Sequence, residues 1–164
     1  RKSVPEKTLE KYLDDIELFL NEIELERIDE TVQMPGAVSL LKSLREKGVK
    51  IGILTRGCPA YAEEALRISG LDGYVDAVLA RDRRSGTPPK PSAKAAEEML
   101  RRLGVGKDDA LMVGDYSIDF ACARDAGIRF VGLSSGERSK TDLKNCGCAN
   151  IAENLDEVGK LIGL

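Results

Sequence analysis

The sequence predicts an α/β protein built on a doubly wound parallel sheet. Short apolar runs alternate with amphipathic stretches along most of the 164 residues, and each turn of that cycle takes roughly 25 to 30 residues, the length of a strand and its crossover helix. Glycines fall where helices should stop, at Gly48, Gly70 and Gly104. Two apolar runs end at residues with chemistry, Thr55 and Asp115. With right-handed crossovers, every strand tip of such a sheet opens on one crevice, where ligands bind.

In chain order, Val4, Pro5 and Glu6 can open a helix. Leu9, Leu13, Ile16 and Leu20 continue at helical spacing, so 9–25 reads as one or two amphipathic helices with a solvated acidic face. Met34, Pro35 and Gly36 mark a boundary, after which Val38, Leu41 and Leu44 define a helix ending at Gly48. Strands are predicted at 49–54, 74–79, 109–113, 130–133 and 149–151, and helices at 60–69, 93–103, 118–126, 141–145 and 155–162. Asn154 suits the N-cap of the last helix. The polar stretches 81–89 and 134–140 read as loops near the crevice, with Arg81, Arg83, Arg84, Arg138 and Lys140 as candidate contacts.

Composition narrows the function. No apolar run approaches the roughly 18 residues that span a bilayer, and no signal-peptide pattern is visible, so the expected location is the cytoplasm. A net charge of −3 without a basic, aromatic-interleaved run argues against nucleic acid as a partner. The spacing of Cys58, Cys122, Cys146 and Cys148 does not suit a pair of zinc knuckles, and incidental thiols in a reducing compartment are the expectation. Histidine is absent. That removes Ser-His-Asp and Cys-His chemistry, leaving acid–base work to carboxylates or lysine.

The candidate site gathers at the strand tips. Asp115 follows the apolar run 110–113, and Asp119 lies four residues on, at the start of a helix. Such a pair suits a hard cation; it equally suits an N-cap and a solvated first-turn carboxylate. Thr55 offers a hydroxyl, and the amides of Arg56 and Gly57 offer further donors at a helix start, a small phosphate cradle or a plain cap. Arg56 reads equally as substrate contact or surface charge. Lys90, beside Pro91, would offset phosphate charge or be an ordinary loop lysine. Together Thr55, Lys90, Asp115 and Asp119 are more specific than any one of them.

Thr55 after an apolar strand, then Lys90-Pro91, then Gly114-Asp115-x-x-x-Asp119 resemble the second, third and fourth motifs of the haloacid dehalogenase superfamily of phosphatases. The order and spacing match from about Pro35 onward, and the texture is similar to phosphoglycolate-phosphatase-like members. The resemblance implies a Rossmann-like core at 34–164 with a small helical cap at 1–33. It also implies magnesium-dependent hydrolysis of a small phosphorylated metabolite through a phosphoaspartate. Thr55, with Arg56 and Gly57, would then bind the phosphoryl group, Lys90 would steady it and the nucleophile, and Asp115 and Asp119 would position Mg2+. The superfamily's first motif, a central strand ending in Asp-x-Asp-Gly-Thr, is not in the sequence. Asp14 and Asp15 lie in a helical pattern and Asp82 in a loop, so none replaces it. Because the chain opens at Arg1 without methionine, the nucleophile is expected on an upstream segment.

The alternative is a non-catalytic phosphate-, metal- or partner-binding protein of the same fold, which is what the chemistry of the chain as it stands requires. A signalling receiver domain also uses Asp, Thr and Lys on a doubly wound sheet. In receivers the acidic cluster comes first, whereas here the order is Thr55, Lys90, Asp115.

Overall fold

A computed structural model describes residues 5–164. Residues 1–4 of the expected cap segment, Val4 of its helix start included, lie outside the described residues. Strands and helices alternate: α1 (Glu6–Glu26), α2 (Ala37–Glu46), β1 (Gly52–Leu54), α3 (Pro59–Ile68), β2 (Ala77–Leu79), α4 (Ala93–Leu103), β3 (Leu111–Gly114), α5 (Ser117–Ala126), β4 (Arg129–Leu133), α6 (Glu137–Asn145), β5 (Ile151–Ala152) and α7 (Leu155–Leu161).

Every strand pairing is parallel. The strands form two sheets, β1-β2 and β3-β4-β5, so β1 and β3 each keep one edge unpaired among the described residues. One apolar layer nevertheless runs beneath both. Ala95, Ala96 and Met99 of α4 and Cys122 and Ala123 of α5 pack with Leu79 and Leu54 of the first sheet and with Met112 and Phe130 of the second. A second layer, on the opposite side of β3 and β4, joins Leu111, Val131 and Leu133 to Leu40 of α2 and to Leu155 and Val158 of α7. Adjacent residues of a strand point to opposite faces, and the split of Leu111 from Met112 and of Phe130 from Val131 is what double winding requires. Gly52 leaves room for α4, since a Cβ there would collide with Met99 Sδ and stand 3.1 Å from Leu103 Cδ1.

Several boundaries differ from the sequence reading; the strand expected at 74–79, for one, starts only at Ala77. The helix expected at 141–145 begins earlier, at Glu137. Its first turns carry no apolar residue, and only Leu143 is buried, so periodicity had nothing to register there. The strand expected at 49–54 is shortened because Asp76 takes over ladder positions. Its carboxylate accepts the Ile51 N–H at 2.8 Å, and Arg45 and Lys50 hold the other oxygen at 2.8 and 3.1 Å.

These three partners, the Ile51 amide first, depress the Asp76 carboxyl from its ordinary 3.8 to about 2. The group therefore contributes stability above its unfolded value, and the contribution is lost as pH falls from about 4 towards 2. Asp76→Asn is expected to unfold at lower urea than the parent at neutral pH, with the gap closing as the pH approaches 2. A gap unchanged across that range would remove Asp76 as its source.

The orientation of α1 reverses the sequence reading. Of the apolar stripe, Leu9, Ile16 and Leu20 are 48%, 54% and 41% exposed, and Leu13 is half-buried. The face that docks is the polar stripe Glu10, Asp14, Glu17, Asn21 and Glu24, a spacing that keeps all five on one side of a helix. Glu10 and Asp14 bind the Arg83 guanidinium at 2.7 and 2.6 Å, Glu17 accepts the Arg83 N–H at 3.1 Å, and Asn21 and Glu24 bind Arg81 at 3.0 and 2.9 Å. The acidic face is therefore paired rather than free, although Glu10 and Asp14 remain 56% and 40% exposed. It meets the arginines of the segment following β2, and charge complementarity rather than apolar burial sets the helix in place.

Candidate active site

The carboxyl ends of β1 and β3, the helices that follow them and the segment before α4 border one open cavity of about 640 Å3. Thr55, Arg56, Gly57, Lys90, Asp115 and Asp119 all line it. The six residues singled out from sequence thus meet although they span more than 60 positions. The reason is topological: parallel strands present all their carboxyl ends at one rim. Leu20 and Glu24 of α1, Arg81, Tyr116 and Ile118 complete the wall.

Thr55 follows β1, and its N–H is tied to the Leu79 carbonyl at 3.0 Å. Its hydroxyl oxygen accepts the Gly57 N–H at 3.0 Å. Of the two amides expected to face a phosphate, that of Gly57 is therefore already engaged. The Arg56 N–H has no acceptor among the described residues. The Thr55 hydroxyl hydrogen and the Arg56 amide are the donors left for an incoming anion. Cys58, next along, gives its N–H to Glu24 Oε2 at 2.7 Å.

Asp115 and Asp119 have different surroundings. Asp119 is 3% exposed. One oxygen accepts Lys90 Nζ at 2.6 Å, and the other accepts the Tyr116 N–H at 3.1 Å across the first turn of α5. It is neither solvated nor free. Asp115 is tethered only loosely, by the Ser135 hydroxyl at 3.3 Å, while Ser139 holds its main-chain carbonyl at 2.9 Å. Burial, and next the nearby Asp119 charge, push the Asp115 carboxyl above its usual range. A divalent cation would relieve both effects, and carboxylate oxygen is the donor a hard cation prefers. The described residues hold no group of three or more carboxylate, thiol or imidazole ligands. The donor chemistry fits magnesium, with Asp115 as the available oxygen and Asp119 behind it fixing Lys90.

Glu24 carries no distinguishing mark in the sequence, where Arg81 reads only as one of several loop cations. Glu24 is one of many acids on α1, and no periodicity distinguishes it. Of the other candidates, Arg83 and Arg84 serve α1 rather than the cavity, and Lys140 pairs with Glu153. α5 is also anchored from outside its own segment, by Asp142 of α6 accepting the Ser117 N–H at 3.1 Å.

Comparison with known proteins finds that residues 1–133 match the family described as haloacid dehalogenase-like hydrolase. A phosphoglycolate phosphatase of Rhodospirillum rubrum is 32% identical over 129 residues, 79% of this chain and 52% of that protein. Pyrophosphatase PpaX of Halalkalibacterium halodurans is 32% identical over 94 residues, 57% of this chain and 43% of that protein. The chain spans about half the length of these curated relatives. A hydrolase from Pseudomonas syringae shares the fold, with a TM-score of 0.77 at 23% identity over 98% of this chain and 72% of that one.

Proposed function

The chain belongs to the haloacid dehalogenase-like hydrolase family, and from that premise we propose that its cavity serves magnesium-dependent hydrolysis of a small phosphorylated metabolite. The observation that carries this reading is the meeting of a hydroxyl, a free amide, a lysine and two carboxylates in one cavity. Phosphoryl transfer asks chiefly for positioning and charge neutralisation. The Thr55 hydroxyl and the Arg56 N–H orient the phosphoryl oxygens. Lys90, aimed by Asp119, offsets their charge. Asp115 would hold the cation, whose chemistry is to neutralise phosphoryl charge.

Of the three carboxylates lining the cavity, Glu24 is bound to Arg81 and Asp119 to Lys90, and in this reading Asp115 is kept for the cation. Membership of the family implies that the nucleophile is an aspartate carried on a further strand. The unpaired edges of β1 and β3 support its place between them. That carboxylate attacks phosphorus as the P–O bond to the leaving group breaks, and water then attacks phosphorus, releasing phosphate and restoring the aspartate. Residues 1–33 act as the cap over a core at 34–164, bringing Leu20 and Glu24 to the cavity. Four free cysteines suit a reducing compartment such as the cytoplasm.

Relatives named for phosphoglycolate and pyrophosphate make these the first substrates to try. The full-length protein is expected to release inorganic phosphate from one or both in MgCl2 and to stop in EDTA. Asp115→Asn is expected to lower kcat by about two to three orders of magnitude. A folded full-length protein that binds phosphate yet releases none from any phosphomonoester or from pyrophosphate would turn the reading to a binding protein.

A further inference from the structure

We infer that Arg81 is a positioning residue for the phosphate-binding loop, acting through Glu24 and the loop carbonyls rather than on substrate; this rests on the phosphatase reading above. Arg81 follows β2, and its side chain is 15% exposed although it borders the cavity. Its main-chain N–H donates to the Gly57 carbonyl at 3.0 Å, and its Nε donates to the Arg56 carbonyl at 2.8 Å. Its Nη2 reaches Asn21 at 3.0 Å and Glu24 Oε1 at 2.9 Å. The other oxygen of Glu24 accepts the Cys58 N–H at 2.7 Å. The contacts close a ring, from Arg81 through Glu24 to Cys58 and back along Gly57 and Arg56.

That ring decides where one amide points. The Thr55 N–H is pinned on the Leu79 carbonyl, and beyond it the carbonyls of Arg56 and Gly57 are both drawn to Arg81. Between these fixed points lies the peptide unit joining Thr55 to Arg56, whose N–H is the unengaged donor. With its neighbours held, the direction of that N–H is set before any anion arrives, which is what charge stabilisation without reorganisation requires. A guanidinium can do this because its planar fork serves several acceptors at once; a lysine cannot. Its Nε and Nη2 donors are spent on protein acceptors, and the Glu24 carboxylate offsets the charge, so Arg81 borders the cavity with only Nη1 left without a protein acceptor among the described residues.

The test compares Arg81→Gln, Glu24→Gln and the double variant in the full-length protein, by phosphate-release kinetics and by hydrogen exchange of the Cys58 amide. Arg81→Gln is expected to lower kcat by about 10- to 100-fold with KM little changed, as a misplaced donor would. It should speed exchange at Cys58 by about tenfold. The double variant should be no worse than Arg81→Gln, because both residues act through one loop. Should Arg81→Gln fail to fold, the milder Glu24→Gln carries the same signs. A loss lying in KM, effects that multiply, unchanged exchange, or faster exchange with full activity would each overturn the inference. A parent protein without phosphate release overturns the phosphatase reading instead, and the exchange result then stands or falls by itself.

Discussion

Lys90→Met is expected to remove activity and to cost about 3–5 kcal/mol of folding stability, the range for leaving one partner of a buried ion pair uncompensated. The physical reason is Asp119. It is 3% exposed, its partner's side chain is 12% exposed, and their charged atoms lie 2.6 Å apart. Without the ammonium, one carboxylate oxygen keeps only the protein's desolvation and no counter-charge. The urea midpoint of Lys90→Met should fall accordingly. Adding Asp119→Leu should recover much of the stability, since apolar replacement of a buried pair is often neutral or better. Activity should not return. A Lys90→Met protein as stable as its parent would show that Lys90 does not compensate Asp119. A stable double variant that hydrolysed substrate would remove both from the reaction.

Gly114→Ala is expected to reproduce that loss of activity from outside the charged pair. A Cβ at position 114 would sit 2.5 Å from Asp119 Cβ and 2.7 Å from its Cγ and Oδ2. Contacts under 3 Å with the root of a side chain cannot be relieved by a rotamer change, so α5 must shift or Asp119 must turn away from Lys90. The cost is that of overpacking, about 1–3 kcal/mol. Gly106→Ala is the matched control, because its Cβ would meet only Asp109 Oδ2, at 3.6 Å. Denaturant unfolding and phosphate release on the two variants should separate sharply. Equal behaviour would mean that the close approach of Gly114 to Asp119 is not what holds the pair.

The two predictions converge on why Asp119 was legible as important and illegible in role. A carboxylate four residues after a strand-tip aspartate reads as a second cation ligand. Only the fold shows that its oxygens point to Lys90 and to the Tyr116 amide. The same limit applies to Gly57, whose amide looked available until the Thr55 hydroxyl was placed beside it. It applies to α1 as well. An apolar stripe and an acidic stripe on one helix are both visible in sequence, but which of them docks depends on what the rest of the chain brings opposite.

By itself the sequence determined the alternation of strands and helices, the parallel double winding, and the set of strand-tip residues that share a cavity. These follow from local periodicity and from one rule of topology, and neither needs to know where a distant side chain lies. The tertiary structure alone decided the docking of α1 by its acids, the pairing of Asp119 with Lys90 and with the Tyr116 amide, and the ring through Arg81. Each of these rests on at least one hydrogen bond or charge pairing between residues far apart in the chain, and such directional contacts are set by three-dimensional placement that no spacing encodes.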